Sequence, residues 1–151
     1  MKFYYRYNIL NKDIFIATEN NKIILIRENY KPTKDDVNKE TELIKKCYKE
    51  IKEYIEGKRK AFDFDFELKG TEFQKNVWDA LQKIPYGETK TYKEIAEMVN
   101  SKNASRAVGN ACNKNPLLIL VPCHRVVGTN GTLTGFALGL DMKEKLLLIE
   151  K

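Results

Sequence analysis

Histidine and cysteine are scarce in this sequence, and each scarcity argues against a class of protein. His124 is the only histidine and no Cys-x-x-Cys pair occurs, which argues against a zinc site. The three cysteines, Cys47, Cys112 and Cys123, are an odd number, so a disulfide framework is not expected and at least one thiol is free. We therefore predict neither a metal centre nor a disulfide-stapled secreted protein.

Long apolar runs are also missing. No segment approaches the roughly 18 consecutive apolar residues of a membrane span, and the first residues, MKFYYRYNILNKDIFIA, lack the apolar centre and cleavage site of a signal peptide. Because 42% of the 151 residues are hydrophobic and 11% are aromatic, the chain has enough apolar surface for a core. We expect a globular cytoplasmic protein with no membrane association.

Basic residues outnumber acidic ones, and the formal net charge is +6. Between residues 90 and 125, six basic side chains accompany only Glu94 and Glu97, a local net charge of +4. A basic segment of this kind favours a polyanionic partner. It is our candidate DNA-facing surface, and its cations are Lys90, Lys93, Lys102, Arg106, Lys114 and Arg125.

The first part of the chain has the pattern of a small α/β domain. Three strand-like segments, KFYYRYNI, DIFIAT and KIILIR, come first, and the asparagines of ENN between the last two suit a tight hairpin turn. Thr33-x-x-Asp36 has the form of a capping box and predicts a helix that runs to Gly57, with Cys47 on its buried face. FDFDFEL at 62–68 alternates strictly and predicts an extended segment. We predict an α+β protein whose N-terminal domain, residues 1–68, is an antiparallel sheet plus one helix.

After Gly70 the pattern changes to short helices. Thr71 is the predicted N-cap of a first helix that buries Trp78, and Thr91-x-x-Glu94 forms the capping box of a second. A helical segment around NASRAVGNACNKN, the apolar and strand-like PLLILV, a hairpin signal at GTNGT and a last helix, LDMKEKLLLIEK, follow. Short helices followed by a hairpin are typical of a winged helix-turn-helix, which we predict for residues 70–151.

The segment LVPCHRVVG, residues 120–128, joins a cysteine to the only histidine. A thiol is mostly protonated at neutral pH, so a nucleophilic Cys123 needs a base, and His124 is the only imidazole that can serve. Since adjacent side chains usually diverge, their contact would run through a water or an unusual turn. The histidine in turn needs an acceptor for its other ring nitrogen, for which Glu144 and Glu150 of the last helix are candidates. An arbitrary Cys-His pair is more often simply buried.

The string PCHRVVG, downstream of RAVGNACNKNP, resembles the active-site signature of the O6-alkylguanine-DNA alkyltransferases. The resemblance covers residues 70–151 well, whereas the first 65 residues match only in general layout, which in this family is ribonuclease H-like. It implies repair by direct damage reversal. O6-methylguanine, and less well O4-methylthymine, is flipped out of duplex DNA, and its alkyl group passes irreversibly to Cys123. It also implies one turnover per molecule, no cofactor, binding of double-stranded DNA through the minor groove, and a monomer.

The resemblance also implies residue roles. His124 acts on the thiol through a bridging water, Glu150 orients His124, Asn115 of the Asn-Pro pair braces the active-site turn, and Tyr92 contacts the target phosphate and the flipped guanine. Arg106 matches the finger that replaces the flipped base. The other implied DNA-binding residues are Thr91, Lys93, Ala104, Ser105, Ala107 and Gly109. The implied guanine pocket is formed by Val126, Phe136, Ala137 and Leu138.

At two pocket positions the chain departs from the family pattern. Members often carry Tyr in place of Phe136 and Gly in place of Leu138, so we expect a narrower pocket mouth.

Three other functions fit parts of the sequence. One is a damage sensor of the alkyltransferase-like kind, which lacks the reactive cysteine that Cys123 supplies here. Another is a thiol hydrolase using Cys123, His124 and Glu150, which would need an oxyanion hole that nothing in the sequence indicates. The last is a winged-helix regulator in which PCHRVV is structural. Alkylation of Cys123 by methylated DNA distinguishes the proposed repair activity from all three.

Overall fold

The computed structural model describes residues 1–101 and 103–151, which form two compact units. One unit comprises Met1–Leu68 and Pro116–Leu118, and the other comprises Lys69–Asn115 and Ile119–Lys151. The predicted division put residues 116–118 with the second domain. They group with the first because the amide of Ile26 donates to the carbonyl of Pro116 (2.8 Å) and the amide of Leu118 donates to the carbonyl of Ile26 (3.2 Å).

The first unit is built on a four-stranded sheet in the order β3-β2-β1-β4. β1 and β2 are antiparallel, as are β2 and β3, whereas β4 is parallel to β1. The two hairpins turn at Leu10–Asn11 and Asn20–Asn21, where all four residues have positive φ, as the tight two-residue hairpin turn requires. The strands are β1 (Lys2–Ile9), β2 (Lys12–Glu19), β3 (Lys22–Arg27) and β4 (Val37–Asn38).

The predicted start of the helix in this unit was wrong. Helix α1 spans Glu42–Ile55 and its N-cap is Thr41, not Thr33. The Asp36 carboxylate does accept from the Thr33 amide at 2.9 Å, but it also accepts from the Tyr30 hydroxyl at 2.6 Å, which closes a turn. The chain then enters β4. Strand pairing therefore prevents the helix that the local capping motif predicted.

Other local predictions for this unit are confirmed. The helix stops before Gly57, which has a φ of 77°, and Cys47 is fully buried. In residues 62–68 the phenylalanines are half-buried and the two aspartates are exposed, as the alternation predicted. This segment is extended, but its pairing with β3 is limited to one bridge, between Phe66 and Ile23.

The second unit contains four helices and a two-stranded parallel sheet within the described residues. Both predicted capping residues are confirmed: the hydroxyls of Thr71 and Thr91 each accept from the amide three residues on, both at 3.1 Å. In each case the third residue's side chain accepts in return, which completes a capping box. The elements are α2 (Glu72–Gln82), β5 (Lys90–Thr91), α3 (Tyr92–Met98), α4 (Ser105–Asn113), β6 (Val126–Val127) and α5 (Leu140–Ile149).

The predicted hairpin at residues 128–132 was wrong. Asn130 and Gly131 have the positive φ values of a tight turn, and the amide of Gly128 donates to the carbonyl of Thr132 at 2.8 Å. The turn is not flanked by paired strands, however, because β6 pairs in parallel with β5 and the chain after Thr132 is held by side chains instead. The winged helix-turn-helix and the ribonuclease H-like layout both remain predictions.

The core of the second unit centres on Trp78, as predicted. Its side chain is 1% exposed, and its indole N–H donates to the carbonyl of Ala111 in α4 at 2.9 Å. Gly70 packs so closely on this ring that an added Cβ would lie 2.7 Å from it. Across residues 1–101 and 103–151, no helix is long and apolar enough to cross a membrane.

Candidate active site and nucleic-acid interface

Cys123 lies in a buried turn that is braced by Asn115. The Asn115 side-chain amide donates to the carbonyl of Val121 at 2.8 Å and contacts the Cys123 sulfur at 3.4 Å. Cys123 is 3% exposed and begins a short 3₁₀ helix, Cys123–Arg125. The Asn115 side chain therefore links the Cys123 thiol to the backbone carbonyl of Val121, two residues earlier.

The segment before the cysteine is not the predicted strand. Residues 116–121 form isolated bridges and a turn, and Ile119 has a φ of 75°. A positive φ is a genuine outlier for a β-branched residue and costs roughly 1–3 kcal/mol. The bracing bonds of Asn115 help to hold this strained turn, and with it the position of the sulfur.

His124 is fully buried and paired with Glu150 rather than with Glu144. The His124 Nε2 lies 2.8 Å from Glu150 Oε2, whereas Glu144 is exposed. Burial lowers the pKa of His124 and outweighs the raising effect of the Glu150 carboxylate, so the ring is neutral at pH 7. Because the carboxylate accepts, Nε2 carries the proton and Nδ1 is the acceptor nitrogen.

The structure corrects the assignment of Arg125 to the DNA-facing surface. Arg125 is 8% exposed, and its guanidinium donates twice to the Glu150 carboxylate, from Nε at 2.8 Å and from Nη2 at 2.9 Å. Lys102, another cation of that segment, lies outside the described residues. Of the remaining four, Lys93, Arg106 and Lys114 are exposed, and Lys90 is half-buried with its ammonium 3.9 Å from Glu94.

Lys143 is a buried site residue that sequence reasoning missed. It is fully buried, and its ammonium donates to the carbonyls of Thr134 (2.9 Å) and Gly135 (3.2 Å). The Tyr92 hydroxyl donates to the same Thr134 carbonyl at 3.1 Å, and burial raises the pKa of Tyr92. The available signal was helical spacing: Lys143 precedes Leu146 by three residues and Glu150 by seven, which places it on the buried face of α5.

A separate cleft of about 510 Å³ lies along α4 and the start of α3. Five of the predicted DNA-binding residues line it, and they include two exposed cations, Lys93 and Arg106. Thr91, Ala104 and Ala107 do not line it, and the Thr91 hydroxyl is engaged as an N-cap. The five lining residues are Tyr92, Lys93, Ser105, Arg106 and Gly109.

The predicted guanine-pocket residues do not line this cleft. Val126 and Leu138 are buried, whereas Phe136 and Ala137 are half-buried. The Phe136 ring lies edge-on to His124, with 6.4 Å between the ring centroids. The structure thus places Phe136 beside the histidine, and the narrow pocket mouth remains a prediction.

Comparison with known proteins finds relatives over most of the chain. Residues 72–151 match the family model of the 6-O-methylguanine DNA methyltransferase DNA-binding domain. A methylated-DNA–protein-cysteine methyltransferase of Methanosarcina acetivorans is 54% identical over 109 residues, which are 72% of this chain and 70% of the relative. The chain belongs to this methyltransferase family. The resemblance carried by PCHRVVG is therefore confirmed.

The likeness to this methyltransferase family extends over both units. A methyltransferase of the same name from Mycolicibacterium paratuberculosis is 42% identical over 127 residues, which are 84% of this chain and 77% of the relative. The crystal structure of Mycobacterium tuberculosis OGT in complex with DNA aligns with a TM-score of 0.91 at 35% identity, covering 99% of this chain and 92% of that one. The mixed α+β fold predicted from the sequence is confirmed.

Proposed function

We propose that this methyltransferase repairs DNA by moving the alkyl group of O6-methylguanine onto the sulfur of Cys123. The observation that carries the proposal is the buried array of Asn115, Cys123, His124 and Glu150, with contacts of 3.4 Å at the sulfur and 2.8 Å at the imidazole. The partner is double-stranded DNA, contacted through its minor groove by a monomer. O4-methylthymine is a poorer substrate of the same site.

His124 is the proposed base. In its neutral form Nδ1 accepts the thiol proton through a water, and Glu150 stabilises the imidazolium that forms. The thiolate attacks the methyl carbon in line, so the S–C bond forms as the C–O6 bond breaks. Guanine leaves with a proton, for which Tyr92 is the candidate donor, and a backbone N–H near Ala137 is a candidate hydrogen-bond donor to the departing oxygen or ring. The thioether is stable, so each molecule reacts once.

Arg106 is proposed to fill the space left by the flipped guanine. A stacked base exposes O6 only in the major groove, so a buried thiol reaches it after the nucleotide rotates out, at a cost of a few kcal/mol. Arg106 is exposed on the first turn of α4 and lines the cleft with Lys93. A side chain inserted into the base stack offsets part of that cost.

Replacing Arg106 with alanine is expected to slow repair of an O6-methylguanine duplex by about 10²-fold, because a few kcal/mol of flipping cost is no longer offset. Reaction of Cys123 with iodoacetamide, which needs no flipped base, should keep its wild-type rate. Lys114→Ala is the matched control, since this exposed cation at the end of α4 does not line the cleft. Equal slowing by both substitutions would indicate loss of charge alone and contradict the finger role.

Gly109→Ala is expected to separate stability from DNA binding. Gly109 lies within α4, and an added Cβ would meet the Tyr92 ring at an ordinary 3.9 Å. Alanine should therefore raise the free energy of unfolding by about 0.5–1 kcal/mol. It should also weaken duplex binding, because Gly109 lines the cleft, which we propose receives the DNA backbone. Chemical denaturation and a binding titration measure the two effects; unchanged affinity would remove Gly109 from the interface.

A further inference from the structure

Arg125 holds Glu150 in a forked contact that the proposed chemistry does not itself use. Its Nε donates to Oε1 and its Nη2 to Oε2 of the carboxylate, while Nη1 donates to the carbonyl of Ile84 at 2.8 Å. The guanidinium also lies over the Tyr86 ring, 5.7 Å from its centroid. All five guanidinium donors point in fixed directions, so these contacts define the orientation of the group.

Two further contacts also hold the Glu150 carboxylate. The amide of Gly87 donates to Oε1 at 3.2 Å, and His124 Nε2 contacts Oε2. Each carboxylate oxygen thus has a contact from Arg125 and a contact from another group. If the carboxylate turned about its axis, Oε2 would leave the imidazole and the guanidinium together.

We propose that Arg125 is a positioning residue for the alkyl transfer: its fork fixes the Glu150 carboxylate so that His124 keeps its proton on Nε2 and directs Nδ1 toward the thiol. This inference rests on the proposed function. It assigns two separable tasks to one side chain. The positive charge balances the carboxylate, and the planar fork sets the carboxylate's orientation.

The charge task has a definite sign. Glu150 raises the pKa of His124, whereas Arg125 and Lys143 lower it, and burial lowers it most. Removing the Arg125 charge leaves the carboxylate less balanced, so the pKa of His124 should rise and more of the imidazole should be protonated near neutral pH. A protonated imidazole does not accept the thiol proton, so the acid limb of the pH–rate profile should move to higher pH.

The orientation task distinguishes arginine from lysine. An ammonium on a flexible stem does not reproduce two parallel N–H donors plus a third to the Ile84 carbonyl. Arg125→Lys should therefore keep the acid limb near its wild-type pH but lower the rate on the plateau. Arg125→Met should move the acid limb to higher pH and also lower the plateau rate, because it removes both the charge and the fork.

The experiment follows alkylation of the full chain between pH 5 and 9 with two reagents, an O6-methylguanine duplex and iodoacetamide, and peptide mapping assigns the product to Cys123. We expect Arg125→Met to shift the acid limb upward by about one pH unit and Arg125→Lys to lower the plateau about tenfold without that shift. Arg59→Met is the control, because Arg59 pairs with Glu50 and Glu53 in the first unit. It should cost stability and leave the profile unchanged.

Thermal unfolding of each variant reports its folded fraction at the assay temperature. If both Arg125 variants keep the wild-type pH–rate profile, with the same acid limb and plateau rate, the inference is wrong. It is also wrong if the variants lose rate only in proportion to their folded fraction, because Arg125 is then structural. If Arg125→Met does not fold, the plateau of Arg125→Lys decides. A wild-type protein that reacts with iodoacetamide but takes no methyl group from DNA would overturn the proposed function, while the iodoacetamide profiles would still test Arg125.

Discussion

Replacing Cys123 with alanine is expected to abolish transfer of the methyl group from an O6-methylguanine duplex to the protein. The sulfur is the proposed acceptor atom, and no other group in the array of Asn115, His124 and Glu150 is a comparable nucleophile. The wild-type chain should gain about 14 Da, one methyl group in place of a proton, at a ratio of one per molecule. Intact mass measurement after incubation with excess duplex gives this ratio directly.

The other two cysteines supply matched controls. Burial raises the pKa of Cys47 and of Cys112, so both stay protonated and should take no methyl group. Cys47→Ala and Cys112→Ala should therefore keep full stoichiometry, with the added mass confined to the peptide that contains Cys123. A wild-type protein that binds the duplex tightly and gains no mass would instead be a sensor or a regulator. Repeated turnover would point to a hydrolase.

Glu150→Gln should lower both stability and rate. The substitution leaves the buried Arg125 guanidinium without its carboxylate and gives His124 an amide in place of a charge. Breaking a buried ion pair from one side costs about 3–5 kcal/mol of unfolding free energy. Loss of the orienting carboxylate should slow methyl transfer by about 10²–10⁴-fold in the folded protein, since the imidazolium is no longer stabilised.

Glu144→Gln is the control for this second prediction. Glu144 lies on the same helix, α5, but its side chain is exposed, so its replacement should change the unfolding free energy by less than about 0.5 kcal/mol and leave the rate intact. Urea denaturation and single-turnover transfer are measured at conditions where each variant is folded. Wild-type stability together with wild-type rate for Glu150→Gln would show that the 2.8 Å contact with His124 carries neither effect.

Features that depend on a few neighbouring residues were predictable. The caps at Thr71 and Thr91 follow from side chains that reach an amide three residues away, and the Asn20–Asn21 turn follows from the ease with which asparagine adopts positive φ. Thr33-x-x-Asp36 has the same local form as these caps, yet it closes a turn because Val37 pairs with Phe3 in β1. The capping motif therefore gave a wrong prediction where a strand more than thirty residues away pairs with the same stretch of backbone.

The site divides in the same way. The sequence was enough to mark Cys123, His124 and Asn115 as a group, because they lie within nine positions of one another in a recognisable string. Taken without the family resemblance, which implies Glu150, it left Glu144 and Glu150 as alternatives; it also counted Arg125 among the surface cations and did not mark Lys143. Those three questions depend on which side chains α5 turns inward and on what each one meets there.

Tertiary contacts answered them. Glu150 contacts His124, which lies 26 residues away in the sequence, and Arg125 donates to the carbonyl of Ile84, which lies 41 residues away. Composition and spacing do not predict these contacts. A charged side chain on an exposed helix is stabilised about equally by water and by a nearby partner, and only packing that removes the water makes the partner necessary. Once α5 packs against the Cys123–Arg125 turn, a buried guanidinium and a buried carboxylate must pair, and the same carboxylate contacts His124.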